Sequence, residues 1–214
     1  MGKTMSDLKS SVEVVGEPWK ESQYYADAER WTFMFWNSDH LFRPYFDRLD
    51  LDNVVELACG HGRHSEMVAP MARQLTLMDI HEENLEVCRR RMERFEGVQV
   101  IRNNGYDFQP LEAESATAIF CYDAMVHFSP DLVASYLRDS ARILKSGGMA
   151  LFHHSNYDAD PSQHYGMNPH ARNKMTMETF HRYATEAGLE VVQSTTLDWG
   201  DARDLDGLTL VRKL

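Results

Sequence analysis

Residues 54–64, Val-Val-Glu-Leu-Ala-Cys-Gly-His-Gly-Arg-His, constrain the fold of this 214-residue chain more than any other stretch. Val54, Val55, Leu57 and Ala58 read as a short buried strand, the chain then meets Gly60 and Gly62, and a helical pattern follows. Glycines at such a turn permit positive φ and close approach of a ligand to the main chain, and the free N–H groups of the next helix favour polar or anionic groups. A tight turn alone would account for Gly-x-Gly. It would not account for Glu56, because a carboxylate within an apolar strand is costly unless a cation or hydrogen-bond donors compensate it.

The rest of the chain alternates between two periods. Apolar runs at 75–78, 98–101, 117–122 and 149–152 read as strands, and 64–72, 81–95 and 131–144 as helices, the second with Leu85, Cys88, Met92 and Phe95 on one stripe. Gly147 and Gly148 stop the third helix, residues 155–174 form a long polar loop, Thr176 caps a helix that Gly188 closes, and strands at 190–196 and 208–211 follow. Alternation of this kind implies right-handed crossovers, a doubly wound α/β sheet, and ligands at the carboxyl ends of its strands. Only residues 197–207 separate the last two strands, with no helix, so these should run antiparallel.

Ahead of the glycine turn, residues 1–22 are polar and are expected as a loose arm that Trp19 could pin to the body. Residues 24–46 are dense in aromatics, among them Tyr24, Tyr25, Trp31, Phe35, Trp36 and Phe42, and imply a helical segment. It serves either as extra core or as a lid over residues 23–50 that covers a small polar ligand. A single domain over 23–214 would bury roughly 70% of the surface its unfolded chain exposes. A formal net charge of -11 opposes attraction to phosphate backbones, so no nucleic-acid partner is expected. Cys59, Cys88 and Cys121 form no Cys-x-x-Cys pair, which fits reduced thiols and a cytoplasmic location. No apolar run approaches the ~20 residues of a bilayer span, so no membrane partner is expected either.

Glu56, Gly60 and Gly62 resemble the first motif of the class I S-adenosylmethionine-dependent methyltransferases, an acid on strand one followed by Gly-x-Gly. The resemblance implies a Rossmann-like sheet of order 3-2-1-4-5-7-6 with strand seven antiparallel, and S-adenosylmethionine as cofactor. In it Asp79 matches the ribose acid and Ile80 the residue that packs on adenine. Asn104 stands where many members carry the Asp that reads the adenine amino group, with Gly105 and Tyr106 offering backbone groups beside it. Ala58 and Tyr122, at the ends of strands one and four, complete the expected cofactor shell. Residues 142–148 look like the family's Arg-x-Leu-Lys-Pro-Gly-Gly turn, with Ser146 for Pro. Residues 23–27, 126–128 and 154–158 are similar to glycine N-methyltransferase and its relatives, which implies Tyr25, Trp31 and His127 around the methionine part of the cofactor.

Two other readings compete. An NAD-dependent oxidoreductase would also use an acid such as Asp79, but its fingerprint needs a third glycine where this chain has Arg63, His64 and Ser65. A regulatory protein that binds the cofactor without turnover is opposed by intact Glu56, Gly60, Gly62 and Asp79 and by the histidines expected at the strand ends and in the loop after strand five, His61, His64, His81, His127, His153, His154 and His164. If the chain transfers a methyl group, a substrate O or N must reach the sulfonium methyl in line, at about 3 Å. A hydroxyl acceptor also needs its proton removed near neutral pH. His127 and His153 are the candidate bases, with Asp123 as orienter or cofactor contact. Asp123, His153, His154 and Asn156 lack a metal-ligand spacing, so no metal is expected. The lining favours a small polar metabolite or a sugar-like hydroxyl as acceptor.

Overall fold

The computed structural model describes residues 4–158 and 162–214. Strands β1 (Asn53–Leu57), β2 (Gln74–Asp79), β3 (Val98–Arg102), β4 (Ala116–Cys121), β5 (Leu144–Ser155), β6 (Leu189–Trp199) and β7 (Ala202–Lys213) form one sheet. Its order is β3-β2-β1-β4-β5-β7-β6. The first five strands pair parallel, and β7 runs antiparallel to both β5 and β6. Order and reversal are the ones the sequence and its resemblance imply.

Successive side chains of a strand point to opposite faces, and here each face meets its own helices. Val54 and Phe120 pack with α3 (Thr32–Trp36), α4 (Phe42–Phe46), α5 (Ser65–Val68) and α6 (Glu82–Met92). Their neighbours Val55 and Ile119 pack with α7 (Pro130–Ile143) and α8 (Met177–Glu186). Every residue of β4 is therefore buried, as a central parallel strand covered on both faces must be.

Four local expectations change. Helix α5 is one turn, not the span 64–72: Ala69 still has helical backbone, but Pro70 carries no N–H and cannot donate the next hydrogen bond. Residues 197–207, expected as a connection, are mostly strand: Leu197 pairs with Asp206 and Trp199 with Ala202, which leaves a tight turn at Gly200 and Asp201. The loop after β5 carries short 3-10 turns at Tyr165–Met167 and Pro169–Ala171 and a bridge between Tyr157 and Met175, while part of it, residues 159–161, lies outside the described residues. Finally, most of the expected loose arm over 1–22 is structured. Met5–Gly16 is helix α1, held by a capping box between Thr4 and Asp7. Leu8 and Val15 bury against Tyr106 and Leu132, and a 3-10 turn, Glu17–Trp19, follows.

The aromatic run divides. Phe35, Trp36, Phe42, Tyr45 and Phe46 are core against the sheet, as the plainer of the two expectations had it. Tyr24 and Tyr25, on helix α2 (Tyr24–Ala28), turn instead toward a cleft at the carboxyl ends of β1, β2 and β4.

Candidate active site

The cleft holds about 960 Å³ of atom-free space and is walled by the β1 and β4 ends, roofed by α1, Trp19 and α2. Its floor is the glycine turn. Ala58, Gly60 and Gly62 all have positive φ, +56°, +54° and +77°, and Gly60 N–H donates to Asp79 Oδ2 at 2.9 Å. Asp79 Oδ1 accepts from the His81 N–H at 2.9 Å and from Asn84 Nδ2 at 3.1 Å. A carboxylate offers about four lone-pair sites, so Asp79 is fixed in place and retains capacity on Oδ2. A Cβ on Gly60 would lie 2.6 Å from the Tyr25 ring. Glycine is required there by the aromatic roof as well as by φ.

Glu56 is buried beneath the turn, its carboxyl bonded to the Ser65 hydroxyl. Burial raises its pKa to about 8, against the pull of Ser65 and the Arg63 field. The carboxyl thus holds its proton at neutral pH until a cation arrives.

At the end of β4 the backbone of Asp123 is left-handed, φ +57°. Its Oδ2 accepts from the Tyr24 hydroxyl and from Arg63 Nη2, the latter at 2.7 Å, and Arg63 Nη1 reaches the Ala28 carbonyl at 3.1 Å. One guanidinium therefore ties the glycine turn, the β4 end and helix α2 together. The Asp123 N–H donates to His153 Nδ1 at 3.0 Å, and His153 Nε2 faces Asp206 Oδ2 at 2.9 Å. Since Nδ1 accepts, Nε2 carries the hydrogen. Both ring nitrogens of His153 are engaged in the core, and it does not line the cleft.

His127 does line it. Its Nδ1 lies 2.9 Å from the Ala171 carbonyl, which can only accept, so Nδ1 is the protonated nitrogen and Nε2 keeps the lone pair. The Trp19 ring covers it at 4.4 Å. Burial, reinforced by the Arg172 charge, lowers its pKa to about 4.

Of the residues expected from the sequence, Tyr25, Glu56, Ala58, Gly60, Asp79, Ile80, Gly105, Tyr122, Asp123 and His127 meet in this cleft. Five do not. Trp31 is 43% exposed under Arg30 and does not line the cleft, whereas Trp19 does. Asn104 is exposed, its Oδ1 capping the N–H groups of Tyr106 and Asp107 and its Nδ2 on Asp107; Asn103 is the asparagine on the cleft wall. Its Oδ1 accepts from Gly105 N and the Tyr136 hydroxyl, so the side chain shapes the turn and the backbone faces the cleft. Tyr106 packs under α1 instead. Gly62 supports the turn from below, where a Cβ would press on Cys88 Sγ at 3.1 Å. His153 sits behind Asp123. Arg63 and Tyr24 carry no local signal in the sequence, since they meet at Asp123 only through contacts 60 and 99 residues apart in the chain.

A methyltransferase-domain family model matches residues 54–148, from β1 to the start of β5. A relative described as a probable S-adenosylmethionine-dependent methyltransferase, from Mycobacterium tuberculosis strain H37Rv, is 24% identical over 176 residues. That match covers 80% of this chain, and the chain spans 62% of the relative's length. Geranyl diphosphate C-methyltransferase from Streptomyces coelicolor A3(2) superposes with a TM-score of 0.73 at 14% identity, covering 95% of this chain and 98% of that one. The [4+2]-cyclase SpnF superposes with a TM-score of 0.65, also at 14% identity, over 90% of this chain and 83% of that one. Identities this low speak for the fold, and a cyclase among the neighbours shows that the fold alone does not fix the reaction. The matched domain, the strand order and the motif at Glu56, Gly60 and Gly62 together show what this chain is similar to: residues 54–148 match a methyltransferase domain, set in the fold that S-adenosylmethionine-dependent methyltransferases share.

Proposed function

We propose that the chain transfers the methyl group of S-adenosylmethionine to an oxygen or nitrogen of a small polar acceptor. The observation that carries this reading is the convergence of Asp79, Glu56, the Arg63–Asp123–Tyr24 cluster and His127 on one cleft. The cleft also holds buried polar atoms with no hydrogen-bond partner among the described residues, Trp19 Nε1, His64 Nε2 and Tyr122 Oη. Native interiors rarely leave such atoms unpaired, and a polar ligand fits them. Asp79 would hold the ribose, Ile80 the adenine, the backbone at Gly60 and Gly105 the edges of the nucleoside, and Glu56 the methionine ammonium.

S-adenosylmethionine supplies an electrophilic methyl group when bound. The protein supplies the rest. Trp19 and α1 exclude water, and Arg63 and Tyr24 hold the Asp123 carboxylate at the β4 end. His127 Nε2 accepts a hydrogen bond from the acceptor's O–H or N–H, orients it, and takes up the proton that a hydroxyl acceptor sheds on methylation, releasing it to solvent. With its pKa lowered to about 4, His127 is neutral near pH 7 and acts by position more than by titration. Geranyl diphosphate is the substrate of the Streptomyces neighbour; the histidines, Arg63 and Asp123 of this cleft favour a polar acceptor here.

Calorimetry with S-adenosylhomocysteine and with NAD is the first test. The homocysteine compound should bind and NAD should not, and Asp79→Ala should weaken binding by roughly 1.5–3 kcal/mol for each charge-assisted hydrogen bond lost. Unchanged affinity in that variant overturns the assignment of Asp79. Mass spectrometry of methylated products across a metabolite panel then tests transfer. Cofactor binding without any product would favour a binding role.

A further inference from the structure

Arg172 lies in the loop between β5 and α8, is 2% exposed, and is among the largest fully enclosed side chains of the described protein. Its Nε and Nη2 form a fork on Asp206 of β7, at 2.8 and 2.5 Å, and its guanidinium lies 4.7 Å from the Trp199 ring. Replacing a buried ion pair by apolar side chains is often neutral or stabilising. Its presence in a core calls for a reason beyond stability.

The contacts on either side supply one. The loop turns through two left-handed residues, His170 (φ +48°) and Ala171 (φ +52°), a backbone that only surrounding structure sustains. Arg172 provides that structure, since Nη1 reaches the His170 carbonyl at 3.2 Å and the Arg172 carbonyl accepts from Asn168 Nδ2 at 2.8 Å. The carbonyl presented by this bend, that of Ala171, sets the hydrogen of His127 on Nδ1. Asn173 completes the hold on the same turn: its N–H donates to the Val126 carbonyl at 2.9 Å and its Nδ2 to the His127 carbonyl at 3.0 Å. On the other side of the fork, Asp206 accepts from His153, and His153 accepts from the Asp123 N–H.

We propose that Arg172 is a positioning residue of the methyl-transfer site, which through Ala171 fixes the tautomer of His127 and through Asp206 and His153 fixes the left-handed backbone of Asp123. The inference rests on the functional reading above for its meaning, but its geometry does not depend on the acceptor. It makes one buried cation common to both polar groups at the β4 end.

The test follows the imidazole of His127 itself. Among the described residues the charged groups acting on that ring are Arg172, Asp123 and Asp206, with the Trp19 ring tilted over it at 4.4 Å. In protein labelled with 15N-histidine, and with the signal assigned by its loss in His127→Gln, the wild-type ring should show the Nδ1–H pattern from pH 8 to pH 5. In Arg172→Met the pattern should change to mixed tautomers, and the titration midpoint should rise because a cation has been removed. Arg172→Lys keeps the charge without the fork, so the tautomer should mix while the midpoint moves less. If the single variants fail to fold, Arg172→Met combined with Asp206→Asn removes both charges together, and the tautomer should still mix. A folded double or single variant whose His127 keeps the pure Nδ1–H pattern overturns the proposal. Calorimetry with S-adenosylhomocysteine on the same wild-type sample separates the two readings. Absence of binding there overturns the functional reading and leaves the result at His127 standing.

Discussion

Glu56 and His127 are both buried groups kept neutral, and each predicts a pH dependence of its own. For Glu56 the folded pKa, near 8, lies above the unfolded value of about 4.3. Between those values the unfolded chain has released a proton that the folded chain retains, so stability falls as pH rises through this window. Glu56→Gln removes that term. The variant should be more stable than wild type at pH 8, by on the order of 1–3 kcal/mol, and the gap should close at pH 4.5; urea melts at the two values check it. The same variant should bind S-adenosylhomocysteine more weakly, because the carboxylate that would pair with the ammonium is gone. For His127, a sequence reading expects a rate that rises through an ordinary imidazole pKa of about 6.5. The buried ring moves that inflection to near 4. Turnover of an identified acceptor should therefore be flat in His127's contribution from pH 6 to 8, while His127→Ala should lower kcat about 10²-fold or more. A clear rise centred at 6.5 that His127→Ala abolishes would contradict the burial of this ring.

Among the elements, helix α1 and its glycine contacts were the least legible in the sequence, and they decide how the cleft is roofed. The strands could be read because each is an apolar run bounded by turn residues, and the antiparallel end because no helix fits between the last two runs; the order of the sheet was implied only by the resemblance at the glycine motif. Where a polar composition implies a loose arm, the chain forms a short amphipathic helix: Leu8, Val12 and Val15 recur at spacings of four and three behind a Thr-x-x-Asp box, a weak signal in so polar a segment. Asn103 and Asn104 differ by one position, and pattern cannot say which of two adjacent identical side chains faces a cleft. Nor can it say that both nitrogens of His153 are bonded in the core. The roof depends on close approach at Gly105, φ +89°, where a Cβ would lie 2.4 Å from Val12 Cγ1. Gly105→Ala should then destabilise the protein by about 1–3 kcal/mol, from backbone strain and from the clash together. Adding Val12→Ala should recover the clash and leave the strain, so a double-mutant cycle by chemical melts should show coupling of about 0.5 kcal/mol or more. Strict additivity would mean that α1 does not rest on this turn.

For the whole molecule the histidines decide the acid limb of stability. His127 and His154 have pKa values lowered to about 4 and about 3, in each case chiefly by burial, and His64 is pushed down for the same reason. His40, His61 and His181 shift in the same direction. Each is a base whose folded pKa lies below the unfolded value of about 6.5, so as pH falls below that value the unfolded chain binds protons that the folded chain refuses. Stability is lost through this window down to the folded pKa values. Asp206 extends the loss at lower pH: burial works to raise its pKa, but His153 and Arg172 outweigh burial and hold it below the ordinary carboxylate value. Glu56 opposes the histidines between about 4.5 and 8, but it is one proton against the three of His64, His127 and His154, so near pH 5 the balance is about two protons taken up on unfolding. That corresponds to a slope on the order of 2–3 kcal/mol per pH unit. Stability measured by urea melts should climb from pH 4.5 to 6.5 and then decline gently toward pH 8 as Glu56 takes over. Replacing His154, which stacks on Phe180 at 3.8 Å and bonds Thr209, with Gln should flatten the acid limb by about one proton without touching the cleft. A stability curve flat from pH 4.5 to 6.5 would show that these imidazoles take up protons in the folded state as readily as in the unfolded chain, and would remove burial as the cause of the lowered His127 value.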